Sequence, residues 1–275
     1  MNLADPGVLK SLLGRHGLSA SKGLGQHFLV SAKAVSLIVG AFDGMGGVLE
    51  IGPGPGVLTS PLVDNGHKVI ALELDARMPP VLHDSSPGAE VRQTDALKAD
   101  LSAILAELPE PRGVVSNLPY YITGPLLTRI AEAKGSFSKA VLMMQKEVAE
   151  RVVAKAKSPA RGSLSVFLQI QFEIRVVAQV PAGAFLPPPK VDSTVLEFIP
   201  RVGEATSAAT FRLIRLGFAQ PRKTLANNLA NGYHVDRGEI HSALAKVGLG
   251  ELARPQELTN DEWLSLGGAL EGLGA

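Results

Sequence analysis

Glu50-Ile51-Gly52-Pro53-Gly54-Pro55-Gly56-Val57 is the segment around which this 275-residue chain is organised. It follows Gly47-Val48-Leu49, an apolar run that reads as a buried strand, and precedes Leu58-Thr59-Ser60-Pro61-Leu62-Val63, which reads as the opening of a helix. A strand that passes through glycines straight into a helix is a ligand-binding device. Lacking side chains, Gly52, Gly54 and Gly56 can take positive φ and let a bound molecule approach the backbone, while the helix start offers unpaired N–H groups. Pro53 and Pro55 stiffen the loop by fixing φ.

Outward from this loop the same unit repeats. Lys68-Val69-Ile70-Ala71-Leu72-Glu73-Leu74-Asp75 reads as a second buried strand, and Glu73 stands at about the 20-residue spacing from the loop at which a carboxylate meets a ribose. Residues 89–95 give a third strand ending in Asp95, and Gly113-Val114-Val115-Ser116-Asn117 a fourth, running into Leu118-Pro119-Tyr120-Tyr121. Glu50, Glu73, Asp95 and Asn117 thus fall at or near the C-terminal ends of successive strands, the edge of an open parallel sheet where ligands bind. A helix begun at Asp75 would be broken by Pro79-Pro80, so a short or displaced helix is expected there. A fifth strand at 139–144 leads into a helix at 145–154, a β-rich stretch covers 171–180, and a last strand covers 194–199. Upstream lie a helix at 8–16 and a second at 31–42 with Ser31 as N-cap. Between them a polar, glycine-containing segment carries Lys22, Gln26 and His27 and reads as an arm able to close over a ligand. Beyond Pro200 the pattern changes to helices only, at 208–218, 224–229, 236–247 and 261–270. The expected architecture is therefore an α/β domain over 1–203 and a small all-helical domain over 204–275.

Hydrophobic residues at 45% and charged residues at 19% describe a globular protein with a sizeable core, and the formal net charge of +1 does not announce a polyanionic partner. Local charge does. Lys134, Lys139, Lys146, Arg151, Lys155, Lys157, Arg161 and Arg175 face only Glu147, Glu150 and Glu173 over the same span, and Arg212, Arg215, Arg222 and Lys223 occupy an acid-free run in the helical part. Such clusters suit phosphate contacts. The chain has no cysteine, which excludes disulfides, thiolate metal sites and cysteine nucleophiles, and its histidines show no metal-ligand spacing. No secretion signal or membrane-length apolar run is present, so a cytoplasmic protein without a metal is expected, with a monomer as the default.

The glycine loop is not a dinucleotide fingerprint, because Gly56 comes one position early for the G-x-G-x-x-G pattern, and it lacks the lysine and Ser/Thr of a phosphate-binding loop. A nucleoside without a pyrophosphate fits better. Glu50 ahead of the glycines, Glu73 for ribose hydroxyls and Asp95 for an adenine amino group together suit S-adenosylmethionine.

Asn117-Leu118-Pro119-Tyr120 is similar to the Asn/Asp-x-Pro-Tyr motif of enzymes that methylate exocyclic amino groups of nucleic-acid bases. Lys22-x-x-Gly25-Gln26-x-Phe28-Leu29, the glycine loop, Gln145-Lys146-Glu147-Val148-Ala149-Glu150-Arg151, Phe185-x-Pro187-x-Pro189-Lys190-Val191-x-Ser193 and Arg222-Lys223-Thr224-Leu225 join it. With them the chain resembles the ribosomal RNA adenine dimethyltransferase family over nearly its whole length. The resemblance implies a Rossmann-like methyltransferase domain with a mostly parallel seven-stranded sheet. It also implies an S-adenosylmethionine site using His27, Leu29, Gly52, Gly54, Glu73, Asp95, Ala96 and Asn117. The implied substrate is a pair of neighbouring adenosines near the 3′ end of small-subunit ribosomal RNA, within a partly assembled subunit. Asn117 and the Leu118 carbonyl are the expected acceptors for the adenine amino group. Tyr120 and Phe185 are expected to stack on the two faces of the base, and Lys146, Arg151, Lys190, Arg212, Arg215, Arg222 and Lys223 to meet RNA. The competing readings are a relative acting on large-subunit RNA, a ribosome-assembly or transcription factor that kept the fold without the chemistry, and a nicotinamide dehydrogenase.

Overall fold

A computed structural model of the chain describes residues 1–19, 27–203 and 207–270. Lys22 and Gln26, on the expected arm, lie outside the described residues. The strands are β1 (Phe28–Leu29), β2 (Gly47–Ile51), β3 (Lys68–Glu73), β4 (Glu90–Gln93), β5 (Arg112–Asn117), β6 (Lys139–Gln145), β7 (Phe172–Val180), β8 (Phe185–Leu186) and β9 (Ser193–Pro200). Seven of them form one sheet in the order β4-β3-β2-β5-β6-β9-β7. The pairings β2/β3, β3/β4, β2/β5 and β5/β6 are parallel, and β6/β9 is antiparallel. This is the mostly parallel α/β sheet expected.

Why these segments are central strands is visible in their burial. All five residues of β2 are buried, as are Val69 to Glu73 of β3 and Gly113 to Ser116 of β5. A strand covered on both faces must be apolar throughout rather than alternating. The chain leaves β2, builds outward through β3 to β4, then returns to β5 on the other side of β2. The strand order therefore reverses between β2 and β5, and a crevice opens at their C-terminal ends. Ser116 fastens that junction by donating from its hydroxyl to the Ile51 carbonyl at 2.7 Å.

Local chemistry sets the helix boundaries. Ser31 caps the helix Ala32–Gly40 by accepting from the Ala34 N–H. The helix near Pro79-Pro80 is short and displaced, as expected: Met78–Ser85 places both prolines in its first turn, where a missing N–H costs nothing.

By compactness the chain divides into Met1–Ala149 with Glu173–Pro200, and Glu150–Phe172 with Arg201–Ala275. The contiguous division at 203/204 thus needs an exchange. The helix Ser163–Gln171 groups with the C-terminal helices, because Val166 shares an apolar cluster with Leu213, Leu225, Leu244 and the fully buried Trp263. Each of those C-terminal helices has its own start signal: Ser207, Thr224, Asp236 and Thr259 accept from backbone N–H groups of the following turn. No helix among the described residues is long and apolar enough to cross a membrane.

Candidate active site

The crevice at the strand-order reversal holds a cavity of about 330 Å³, within the ~300–1,000 Å³ typical of small-molecule sites. Three elements build it. The first is the glycine loop: Gly52, Gly54 and Gly56 have φ of 69°, 55° and 92°, so all three lie in the region that L side chains avoid. A Cβ on Gly54 would sit 3.1 Å from the Phe28 ring, and one on Gly56 2.6 Å from the Ser85 hydroxyl, whereas one on Gly52 would project into open space. The loop is therefore packed from behind at Gly54 and Gly56 and bare at Gly52.

The second element is the end of β3. Glu73 is buried, and its two carboxylate oxygens accept from the Gly54 N–H at 3.0 Å and the Asp75 N–H at 2.8 Å. One side chain thus ties the glycine loop to the neighbouring strand end. Burial raises the Glu73 pKa above its ordinary value, against the lowering effect of those two N–H groups. Each oxygen keeps a further lone-pair site for a ligand hydroxyl. Deeper in the cavity wall, Glu50 is 2% exposed and accepts from the Thr59 hydroxyl at 2.7 Å. Burial pushes its pKa up to about 7, and the nearby Glu73 adds to the rise.

The third element follows β5. Asn117 donates from its amide nitrogen to the His27 carbonyl at 3.2 Å, which commits that end of the amide and turns Oδ1 the other way. The Leu118 N–H is held by the Met143 carbonyl at 2.9 Å, and among the described residues the Leu118 carbonyl takes no hydrogen bond. Tyr120 is half-buried, bonds through its hydroxyl to Ser193 at 3.1 Å, and stacks on the His27 ring at 5.7 Å with an interplanar angle of 26°. Burial raises its pKa. His27 in turn meets the Pro187 carbonyl through Nδ1 at 2.7 Å, so Nδ1 carries the proton. His27 therefore joins the segment before β1, the loop after β5 and the proline loop after β8.

Of the residues singled out in the sequence, His27, Leu29, Gly52, Gly54, Glu73, Asn117, Leu118 and Tyr120 line this one cavity. Asp95 and Ala96 do not. The Asp95 side chain is spent on its own turn, accepting from the Leu97 N–H at 2.9 Å just beyond the edge strand β4. Phe185 requires a correction. Its ring is 3% exposed, its residue pairs with Leu29 across the β1/β8 ribbon, and it packs in the apolar cluster under the sheet instead of offering a free face to a base. An apolar ring beside three prolines is most stable inside. The basic stretch also shrinks: Lys134 and Arg161 are buried, Lys139 pairs with Glu197 at 3.2 Å, and Arg175 pairs with Glu173 at 2.6 Å. Lys146 and Lys190 remain exposed in the sheet unit, and Arg151, Arg212, Arg215, Arg222 and Lys223 in the helical one. Sequence reasoning gave no role to Tyr121 or Leu74, both exposed and both lining the cavity. Their signal was available: Leu74 follows Glu73 and Tyr121 follows Tyr120, each next to a residue already singled out.

A family model described as ribosomal RNA adenine dimethylase matches residues 17–269. The chain belongs to the ribosomal RNA adenine dimethylase family. Among the relatives of this dimethylase, the ribosomal RNA small subunit methyltransferase A of Geobacillus thermodenitrificans (strain NG80-2) is 39% identical, over 98% of this chain and 97% of its own. The protein of the same name from Shouchella clausii (strain KSM-K16) is 37% identical, over 98% and 96%. Among solved structures, a dimethyladenosine transferase from Plasmodium falciparum superposes with a TM-score of 0.75 at 27% identity, covering 90% of this chain and 98% of that one. The 23S rRNA methyltransferase ErmE superposes at 0.65, also at 27% identity, covering 89% and 99%.

The family's methyl donor, S-adenosylmethionine, fits the residues present. Gly52 leaves a backbone that a side chain would obstruct, Glu73 offers lone pairs at ribose spacing, and the buried Glu50 is a carboxyl that ionises in favour of a ligand carrying an ammonium and a sulfonium. Among the described residues no cluster of His, Cys, Asp or Glu could hold a metal ion.

Proposed function

We propose that this adenine dimethylase methylates the N6 amino groups of two adjacent adenosines near the 3′ end of small-subunit ribosomal RNA. In this reading it acts as a cytoplasmic monomer on a partly assembled subunit. The observation that carries it is the meeting of Glu73 from β3 with Asn117 and Leu118 from the end of β5 around one cavity, the Asn117 amide nitrogen being held by the His27 carbonyl. S-adenosylmethionine, when bound, supplies an electrophilic methyl group on a sulfonium.

The chain supplies orientation. Asn117 Oδ1 and the Leu118 carbonyl accept the two N–H bonds of an adenine amino group, which draws the nitrogen out of conjugation with the ring and frees its lone pair. The same two oxygens stabilise positive charge as it develops on that nitrogen. No strong base is needed, because the amine becomes acidic only after it has gained the methyl group. Tyr120, anchored by Ser193 and backed by His27, provides a rigid wall for a base turned out of its stack, offsetting part of an unstacking cost of a few kcal/mol. Glu73 and the Gly52 backbone hold the nucleoside of the donor. Exposed arginines and lysines in both units contact phosphates.

Support for the small-subunit substrate comes from the names of relatives at 37–39% identity over nearly the full length, against 27% for the large-subunit enzyme. The test is incubation of under-methylated small subunits, and separately of large-subunit RNA, with labelled S-adenosylmethionine, followed by nucleoside analysis. Label in dimethyladenosine from the small subunit is expected. Label confined to large-subunit RNA, or no label in adenosine, overturns the reading.

A further inference from the structure

Tyr120 and Tyr121 are consecutive, yet the fold gives them opposite surroundings. Tyr120 is half-buried against His27 and Ser193, whereas Tyr121 is 74% exposed and still lines the cavity. The chain holds nine Phe, three Tyr and one Trp, and of these only Tyr121 is exposed; every other ring is buried or partly covered. Leaving a large amphipathic ring in water forfeits the burial that the other aromatics obtain. Other residues of the same loop are turned inward, with Leu118 1% and Thr123 4% exposed. Phe185, the other ring that the sequence offered for stacking, is enclosed.

An aromatic face at the lip of a pocket that admits one unstacked base has an evident counterpart. Turning an adenine out of a strand deprives its neighbour of a stacking partner as well, and that neighbour stays outside the pocket. We propose that Tyr121 stacks on the nucleotide flanking the target adenosine, so that Tyr120 serves the base inside the cavity and Tyr121 the base at its mouth. The inference rests on the base-methylation reading above and adds to it a second base-binding position. When the two adjacent adenosines exchange the roles of target and neighbour, the same ring serves both.

The experiment compares wild type with Tyr121→Ala, Tyr121→Leu, Tyr121→Phe and Tyr121→Trp on under-methylated small subunits. One base–aromatic stack lost should raise KM for the subunit roughly tenfold to a hundredfold in Tyr121→Ala and Tyr121→Leu. Tyr121→Phe and Tyr121→Trp should stay near wild type, and calorimetric affinity for S-adenosylmethionine should be the same in all five proteins. A KM for Tyr121→Ala equal to that of wild type overturns the inference, as does equivalence of Tyr121→Leu with Tyr121→Phe, which would mean that apolar contact suffices. A synthetic RNA hairpin carrying the adenosine pair, with an abasic site at the flanking position, locates the contact. Wild-type binding should weaken to the level of Tyr121→Ala on the intact hairpin, with no further loss in the variant, whereas equal weakening of both proteins refutes the assignment. Label transfer by wild type in the same assay reports separately on the methylation reading.

Discussion

Replacing Glu50 by glutamine tests the electrostatics of the cavity through stability. Glu50 is 2% exposed, and its pKa rises from 4.5 to about 7, chiefly through burial, with the Thr59 hydroxyl opposing the rise. The folded protein therefore keeps a proton across a range, from about pH 4.5 to about 7, in which the unfolded chain has released it. Stability from this group is fully present below the unfolded pKa and is lost as pH rises through the folded one. At 1.36 kcal/mol per pKa unit, the loss between pH 5 and pH 8 comes to about 2–3 kcal/mol. Glutamine is neutral throughout and can still accept from Thr59, so Glu50→Gln should lack this loss. Urea unfolding at the two pH values, followed by far-ultraviolet circular dichroism, should show the variant gaining about 2–3 kcal/mol on wild type between pH 5 and pH 8. Because a cationic donor favours ionised Glu50, affinity for S-adenosylmethionine should also rise through about pH 7 in wild type and stay flat in the variant. Identical pH dependence of unfolding in the two proteins would refute the reasoning.

Substitutions at two further positions separate packing from chemistry. Phe185→Ala should destabilise the fold by about 3–5 kcal/mol, as expected for a buried aromatic, while Phe185→Leu keeps KM for the subunit near wild type. A large KM change in a well-folded Phe185→Leu protein would return that ring to the base pocket. In the helical unit, a Cβ on Gly217 would lie 2.4 Å from the Trp263 ring, so Gly217→Ala should lower stability by about 1–3 kcal/mol, read from the fluorescence of that single tryptophan.

The sheet was legible because its buried central strands are largely apolar runs, and β2, β3 and β5 each carry a conspicuous polar residue, Glu50, Glu73 and Asn117, at or near the end that meets the site. The glycine loop was legible for a related reason: three positive-φ positions within five residues leave little choice but glycine. Side chains beyond the strand ends were harder. Asp95 sits at the right place in the pattern, yet an aspartate two residues past an edge strand has its own turn to satisfy. Lys134 and Lys146 look alike as letters, and only packing reveals that one is buried and the other exposed. The enclosure of Phe185 and the exposure of Tyr121 were hidden for the same reason, since a ring's exposure depends on partners distant in the chain. The grouping of Ser163–Gln171 with the C-terminal helices likewise rests on Val166 meeting an apolar cluster that no local pattern announces.

The central claim is that Asn117 and the Leu118 carbonyl orient an adenine amino group for methylation. Single-turnover transfer from labelled S-adenosylmethionine to under-methylated small subunits by Asn117→Ala, with calorimetric donor affinity and circular dichroism measured alongside, tests it most directly. A loss of at least about a hundredfold is expected in the transfer step, the scale of removing one transition-state hydrogen-bonding group, with the fold intact. Transfer at the wild-type rate would contradict it.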